Sequence, residues 1–561
     1  MNRLAGFTLW MGVCFTAVGD SRADWQVWTV VQTRRVLRDE AAGPVVEARL
    51  AVARNQWRGF QILLRSDAPV AGVRVEAGDL KGPGGSILRA ADARLYRQHQ
   101  FHLTKPTYRN DRFKPGWYPD ALIPFDHPLT RKPLGAARLA AVPFDLPAGE
   151  THGFWVDLYA PPGASSGEYR GVYRVTATGG KRAEVPVTLT VWDFSLPAVP
   201  TMRTALGSPA GALRGYYQRR AKQGKEKEPA DWAGVDAQCA ELVSRHRINA
   251  TPPPLVPVGQ PDGTFRIPSQ QVAALREFAD RYHINAVQVL HPDQAVKDPV
   301  AERGRLGAWL KSFDRAAAEL DRPQVLFYTY LKDEPNTEAE YKYVQRWGRA
   351  VREARSAVKV LVVEQPQTQD PAWGDLYGAV DIWCPLFSLF EPKPVADRLA
   401  LGETVWTYTA LCQGKATPWW HTDYPLLNYR VPAWIAWRYR ISGILYWGDL
   451  AYWSQIEDPW VDPQTYWTED KSLLFNGEGS LLYPGRAAGY DGIAPSLRLK
   501  ALRDSIDDYE YLALLARLGR ARDAERIVLP LAPSWFQWEA DPALYEPARA
   551  ELARLILAAK H

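Results

Sequence analysis

From Thr201 to about residue 470, short apolar runs alternate with amphipathic stretches, and this alternation constrains the fold of the 561-residue chain more than any other feature. The runs are RTALG (203–207), RINAT (247–251), NAVQVLH (285–291), QVLFYTYL (324–331), VKVLVVE (358–364), AVDIWCP (379–385), ETVWTYT (403–409) and GILYWGD (443–449). Each is short enough for a buried strand. Between them apolar residues recur at helical spacing, as with Val272, Leu275, Phe278 and Tyr282, or Leu306, Trp309 and Phe313. Thr337 and Glu340 have the spacing of a capping box for a helix carrying Tyr341, Val344, Trp347 and Val351. Eight strand candidates separated by helices predict a (β/α)8 barrel over residues 201–470, with a small helix between the fifth and sixth.

Different patterns flank this region. Residues 24–200 read as all-β. VVEARLAVARNQWRGFQILLRS is strand-like, and GEYRGVYRVTATGGKRAEVPVTLTVWDF is a hairpin pattern turning at Gly179–Gly180. A β-sandwich is expected there, closed by the Pro-marked linker LPAVPTM (196–202). Residues 471–561 form a C-terminal extension: a turn-rich segment, then helices. One helix carries Leu499, Leu502, Ile506, Tyr509 and Leu512 on one side, where it is expected to pack on the barrel. Arg503 and Asp507 are spaced to pair at i, i+4.

Residues 1–23 read as a signal peptide. Arg3 is followed by the apolar segment 4–18, and AVG (17–19) or SRA (21–23) offers a cleavage site. A secreted or periplasmic protein is expected, with no membrane span in the mature chain. The mature chain then keeps Cys239, Cys384 and Cys412, an odd and widely spaced set that forms neither a disulfide framework nor a metal motif. The 68 basic and 63 acidic residues leave a charge of +5 with no basic arm, which argues against nucleic acid as a partner. The 23 Trp and 26 Tyr, many in loops, supply flat faces suited to sugar rings; large β-rich cores use the same residues.

Barrel enzymes place their chemistry at the C-terminal ends of the strands. That rule turns the strand candidates into candidate site residues: His291 after the third, Asp333 and Glu334 after the fourth, Glu364 after the fifth, Trp383 after the sixth, Tyr408 after the seventh, Trp447 and Asp449 after the eighth. The rim is acidic and aromatic, as glycosidic chemistry requires. His291, Glu364, Trp383, Tyr408, Trp447 and Asp449 are candidate substrate contacts, although each residue type also serves as a cap on a barrel core. No metal and no cofactor is expected: no ligand spacing, phosphate-binding glycine loop or nucleophile elbow is present.

Glycosidases employ two carboxyl groups on opposite sides of the scissile bond. Neighbours such as Asp333 and Glu334 do not readily flank a bond in that way. The seventh strand candidate ends in TYT, with Glu403 at its start, so no carboxylate nucleophile stands where many retaining barrel enzymes carry one. Adjacent acids suit substrate-assisted hydrolysis, in which the sugar's 2-acetamido oxygen attacks C1, Glu334 acts as acid and then base, and Asp333 holds the acetamido N–H. Three alternatives stay open: a solvated turn, a glycosidase of other specificity with a rim carboxylate such as Glu364 as nucleophile, and a non-catalytic carbohydrate-binding protein.

Six stretches carry a resemblance to glycoside hydrolase family 123 and its wider relatives: ARNQWRGFQILL (53–64), YPDALIP (118–124), FWVDLYAPPGASSGEYRGVYRV (154–175), VWDFSLP (191–197), YLKDEPN (330–336), and LLYPGR (481–486) with RLKALRDSIDDYEYLALL (498–515). The resemblance implies a β-sandwich, a (β/α)8 barrel, and an Asp-Glu pair acting on β-linked N-acetylgalactosamine in oligosaccharides or glycoconjugates. Glu334 takes the place of the acid/base and Asp333 that of the acetamido-orienting group. Gln56 departs from the pattern, where Glu is usual after ARN. The signatures of families 20 and 18 fit less well: the former has Gly-Gly before Asp-Glu, where this chain has Leu331–Lys332, and the latter separates its carboxylates.

Overall fold

The computed structural model describes residues 25–560; the signal-peptide reading lies outside them. Two sheets form first. One has the strand order Trp25–Val31, Gln56–Ser66, His152–Ala160, Arg94–Leu103, Gly116–Pro124. The other runs Ala48–Arg54, Arg182–Ser195, Gly167–Thr176, Val70–Glu76, Phe144–Leu146, with short strands at Leu80–Lys81 and Ile87–Leu88 beside it. Their facing side chains, among them Phe60, Ile62, Val156, Tyr173, Val187 and Leu189, share one apolar cluster. The hairpin turns at Gly179 and Gly180, both at positive φ (79° and 77°), a conformation without steric cost only for glycine. The first sheet is buried on its second face too. Tyr96, Leu122 and Trp155 join the larger cluster that surrounds the barrel, which is why FQILL is continuously buried rather than buried at alternate residues.

Seven parallel strands then curl into a nearly closed barrel: β1 (Arg203–Ala205), β2 (Ala286–Val289), β3 (Leu326–Asp333), β4 (Lys359–Val363), β5 (Ile382–Trp383), β6 (Thr404–Tyr408) and β7 (Gly443–Leu445), in the order β1-β7-β6-β5-β4-β3-β2. Tyr328, Leu361, Ile382, Cys384, Trp406 and Leu445 fill the interior. Seven of the eight expected runs form strands. The run 247–251 does not; Asn249 spans the gap instead. Its backbone N–H donates to Thr204 Oγ1 (2.8 Å) and its side-chain amide to the Thr204 carbonyl (2.9 Å), on the β1 side. On the β2 side its amide oxygen accepts from the Asn285 N–H (2.9 Å). One side chain thus supplies the donor and acceptor that a strand's backbone would have offered.

The expected helices form around the barrel. Thr337 caps α1 (Glu338–Glu353) by accepting from the Glu340 N–H, while the Glu340 carboxylate reaches one residue further back, to the Asn336 N–H (2.9 Å). Helix α2 (Leu427–Arg438) packs along α3 (Leu497–Leu515), with α4 (Tyr545–Lys560) beside them. Helix α3 is buried on every side, wedged between barrel and first sheet, and is not the one-faced helix its leucines suggested. Arg503 and Asp507 do not pair with each other. Arg503 and Lys500 meet Asp157 of the sheet, while Asp507 meets Arg247. Gln56 donates to Asp507 (3.1 Å) and accepts from Tyr511 (2.6 Å), so its amide joins sheet to helix. No helix among the described residues is long and apolar enough to cross a membrane.

Candidate active site

At the C-terminal ends of the barrel strands lies a cleft of about 870 Å³. Its position on the barrel follows the strand-end rule. What brings two consecutive acids into it is a defect in β3. Along a strand, alternate side chains face opposite ways. Tyr328 and Tyr330 point into the barrel and Phe327 and Leu331 out, so position 332 should face in and 333 out. The register slips between Tyr330 and Lys332: Tyr330 pairs with Leu361, Lys332 with Val362 and Asp333 with Val363. The one-residue bulge reverses the alternation. Asp333 now shares the inward face of Leu361 and Val363, and Lys332 turns outward to an ion pair with Glu340 of α1 (2.7 Å). Glu334 then adopts φ of 36°, in the left-handed region, and this ends the strand. Asp333 and Glu334 consequently both line the cleft. A positive φ at a residue other than glycine is strain of the kind that collects at functional positions.

Each acid has a tyrosine partner. The Tyr330 hydroxyl donates to Asp333 Oδ1 (2.7 Å), and the Tyr408 hydroxyl donates to Glu334 Oε1. Burial, and then the neighbouring carboxylate, push both phenols well above their ordinary range, so each stays a proton donor. Among the described residues that line the cleft there is no Lys or Arg.

Of the anticipated contacts, His291, Tyr408, Trp447 and Asp449 line the cleft with Asp333 and Glu334. The His291 ring nitrogens are taken up by the Leu331 carbonyl (3.1 Å) and the Asp293 carboxylate (2.8 Å). Asp449 Oδ1 accepts from the Ser208 N–H (2.7 Å), tying the loop after β1 to the rim. Gly207, at φ of 78°, makes that approach feasible, since a Cβ there would lie 2.0 Å from the same oxygen. Trp447 donates its indole N–H to Glu478, a buried carboxyl that burial pushes up to about 7, and packs against Tyr452 and Tyr466.

Two anticipated contacts are placed elsewhere. Trp383 lies in the core between barrel and helices, its indole N–H donating to Glu403 (2.7 Å). The alternation that sends Cys384 inward sends Trp383 out. Glu364 is buried behind the rim and does not line the cleft. Both its oxygens face Gln369, and Oε1 also accepts from Tyr341. Sequence reasoning missed Tyr330, Tyr446 and Tyr466, which line the cleft, and Glu478 behind it. For Tyr330 the signal was available, because it shares the inward parity of Tyr328.

A second cavity, of about 550 Å³, touches the opposite ends of the strands and the first sheet. Its Arg245 and Arg247 are tied to Glu241 (2.8 Å) and Asp507 (2.7 Å). Among the described residues no group of three or more His, Cys, Asp or Glu side chains is arranged to hold a metal ion.

A barrel whose strand ends present adjacent carboxyl groups, with aromatic walls, has the site of a glycoside hydrolase. Residues 305–515 match the family described as glycoside hydrolase 123, catalytic domain. The protein is a glycoside hydrolase, and over residues 305–515 it is similar to the catalytic domain of family 123. That match begins before β3 and ends with α3, and so contains the acid pair. Among solved structures, the chain resembles a family 123 glycoside hydrolase from Clostridium perfringens described in connection with glycolipid glycan hydrolysis. The two are 11% identical, the match covers 96% of this chain and 98% of that one, and the TM-score is 0.62. A family 39 glycoside hydrolase from Bacteroides cellulosilyticus WH2 matches at 10% identity over 84% of this chain and 82% of that one, with a TM-score of 0.30. No curated protein matches the sequence.

Proposed function

We propose that the protein is an exported, retaining β-N-acetylhexosaminidase, with N-acetylgalactosamine as the favoured sugar, that works by substrate-assisted catalysis. The observation that carries the reading is the bulge-and-turn geometry that puts both neighbouring acids into one cleft, each with a tyrosine hydroxyl and neither with a cation. In this reading the two-sheet unit is a β-sandwich supporting the barrel. Glu334 protonates the glycosidic oxygen as the C1–O bond breaks. The acetamido carbonyl oxygen of the same sugar attacks C1 and forms an oxazoline-type ring. Asp333 accepts the acetamido N–H and balances the charge that develops. Glu334 then removes a proton from water, which opens the ring at C1 with net retention. Tyr408 orients Glu334, Tyr330 orients Asp333, and Trp447 offers a face to the sugar. Glu364 is not available as a nucleophile in this arrangement, because it is buried with both oxygens engaged. The glycolipid glycan named for the Clostridium perfringens enzyme makes a glycolipid-derived oligosaccharide the first natural substrate to try.

The test uses matched aryl glycosides. The 2-acetamido compound should be cleaved and its 2-hydroxy counterpart should not, a thiazoline mimic of the ring should inhibit, and Glu334→Gln should lose roughly 10²–10⁴-fold in kcat. Cleavage of the 2-hydroxy compound at a similar rate would end the substrate-assisted reading. Export is checked by sequencing the N-terminus of the protein recovered outside the cytoplasm, where removal of about the first 23 residues is expected.

A further inference from the structure

Glu334 is held in a strained conformation between two carboxyl groups, the half-exposed Glu340 and the buried Glu364. On the N-terminal side Lys332 is anchored to Glu340 (2.7 Å). On the C-terminal side the Asn336 N–H is anchored to the same Glu340. The residue between the strained position and Asn336 is Pro335, which has no N–H to offer, so its carbonyl is the available handle. The Gln369 side-chain amide takes that handle. Its nitrogen lies 3.1 Å from the Pro335 carbonyl, 3.0 Å from Asn336 Oδ1, and 3.0 and 3.2 Å from the two oxygens of Glu364. The Tyr341 hydroxyl closes the loop, donating to Glu364 Oε1 (3.2 Å) and accepting from the Gln369 N–H (3.2 Å). Glu364 follows β4, the strand beside β3, and is only 4% exposed, whereas Gln369 is at the surface. A primary amide has two hydrogens, so Gln369 shares them between the turn and the carboxyl group behind it.

We propose that Glu364, acting through Gln369, is a positioning residue that fixes the Pro335–Asn336 turn and thereby aims the Glu334 carboxyl group into the cleft. The proposal rests on the reading of Glu334 as the acid/base. It assigns Glu364 a place in the site although it touches no substrate. Among the described residues the titratable groups that face it are Tyr341 of α1 and Glu334 of the β3 turn, with no cation. Burial, with Glu334 adding to it, pushes Glu364 up to about 8 against the pull of Gln369 and Tyr341. The clamp is therefore neutral through the range in which the acid works. It acquires a charge beside Glu334 only as pH rises through about 8.

The test compares Glu364→Gln, Glu364→Ala and Gln369→Ala with the parent on the 2-acetamido aryl glycoside, with Glu334→Gln alongside. A neutral amide of the same shape reproduces an uncharged carboxyl group, so Glu364→Gln should keep kcat within a few-fold. It should also lose the inflection of kcat near pH 8. Glu364→Ala should lower kcat about 10²-fold with KM little changed, the signature of a misplaced group. Gln369→Ala, at the surface and able to fold whatever becomes of the buried variant, should lower kcat about ten-fold in the same way. If Gln369→Ala keeps full kcat while Glu334→Gln is inactive, the positioning role is overturned and the acid/base reading survives. If Glu364→Gln keeps the inflection near pH 8, Glu364 is not the group that titrates and the neutral-clamp account fails. If Glu334→Gln is fully active, the underlying reading falls first.

Discussion

Acidic side chains occur in two regions of this molecule under opposite conditions. In α3, Asp507 and Asp508 are buried, and each meets guanidinium: Asp507 with Arg247 (2.7 Å), Asp508 with Arg430 (2.7 Å) and Arg549. Asp504 of the same helix meets Arg58 (3.2 Å), and Asp157 of the neighbouring sheet meets Arg503 and Lys500. At the cleft Asp333 and Glu334 are partnered by phenols. The contrast teaches what the partner decides. A guanidinium favours the charged form of a carboxylate and makes it part of the scaffold, although at Asp504 burial outweighs Arg58 and pushes the carboxyl up. A neutral hydroxyl fixes the direction of a carboxyl group without claiming its proton. Both regions carry Asp and Glu, and the choice of neighbour, cation or phenol, separates them.

The comparison breaks most visibly if the scaffold acids prove dispensable. Arg430→Ala removes one partner of a fully buried pair and should cost about 3–5 kcal/mol in urea denaturation, whereas Glu334→Gln should leave the midpoint where it was. Equal losses from the two variants would erase the distinction.

Acid titration sharpens the comparison. Burial works against the charges of Asp157 and Asp508, but their cations win and hold both below the usual carboxylate range. A lowered carboxylate contributes stability above its unfolded value near 4 and loses it only as pH falls further. The histidines fail earlier. Burial lowers His99 to about 4 and takes His246 well below its ordinary value. Between pH 6.5 and 4 the unfolded chain holds those protons and the folded chain does not, so stability falls as pH falls. The two together should remove about 3 kcal/mol by pH 5.5, at about 1.4 kcal/mol per unit each. A midpoint that stays constant from pH 7 to 5 would contradict this order of events. The smallest effect is expected at the cleft: Tyr330→Phe leaves Asp333 without its hydroxyl and should lower kcat about ten-fold, with a stability change of about 1 kcal/mol.

Much of this was legible in the sequence. The alternation of runs gave seven strands, and the strand-end rule led to Asp333, Glu334, Tyr408 and Trp447. What escaped it has physical reasons. Asn249 mimics a strand with a side-chain amide, so RINAT looked like a strand that never pairs. Trp383 was assigned by proximity to a strand end, when two-residue parity sends it to the helices. Helix α3 carries leucines at helical spacing, yet its charged residues are buried as well, because their partners come from Asp120 and Asp157 of the sheet and from Arg430 and Arg549 of neighbouring helices. Periodicity along one segment holds no record of a partner hundreds of residues away. The bulge in β3 was equally silent, since neither Leu331 nor Lys332 is a residue type that announces one.

That bulge has a consequence for how the segment tolerates change. It gives β3 a phase, much as a reading frame does: the address of each later side chain depends on where the register stands and not on which residues precede it. With the bulge ironed out and no residue changed, the aspartate would be delivered to the helices and the lysine to the cleft. Register against β4 is the guarded quantity there. Exchange of Lys332 for another outward-facing residue leaves the phase intact, and deletion of Leu331 would give a regular strand that still sends Asp333 inward, whereas loss of the bulge at unchanged length scrambles the site at no cost in composition.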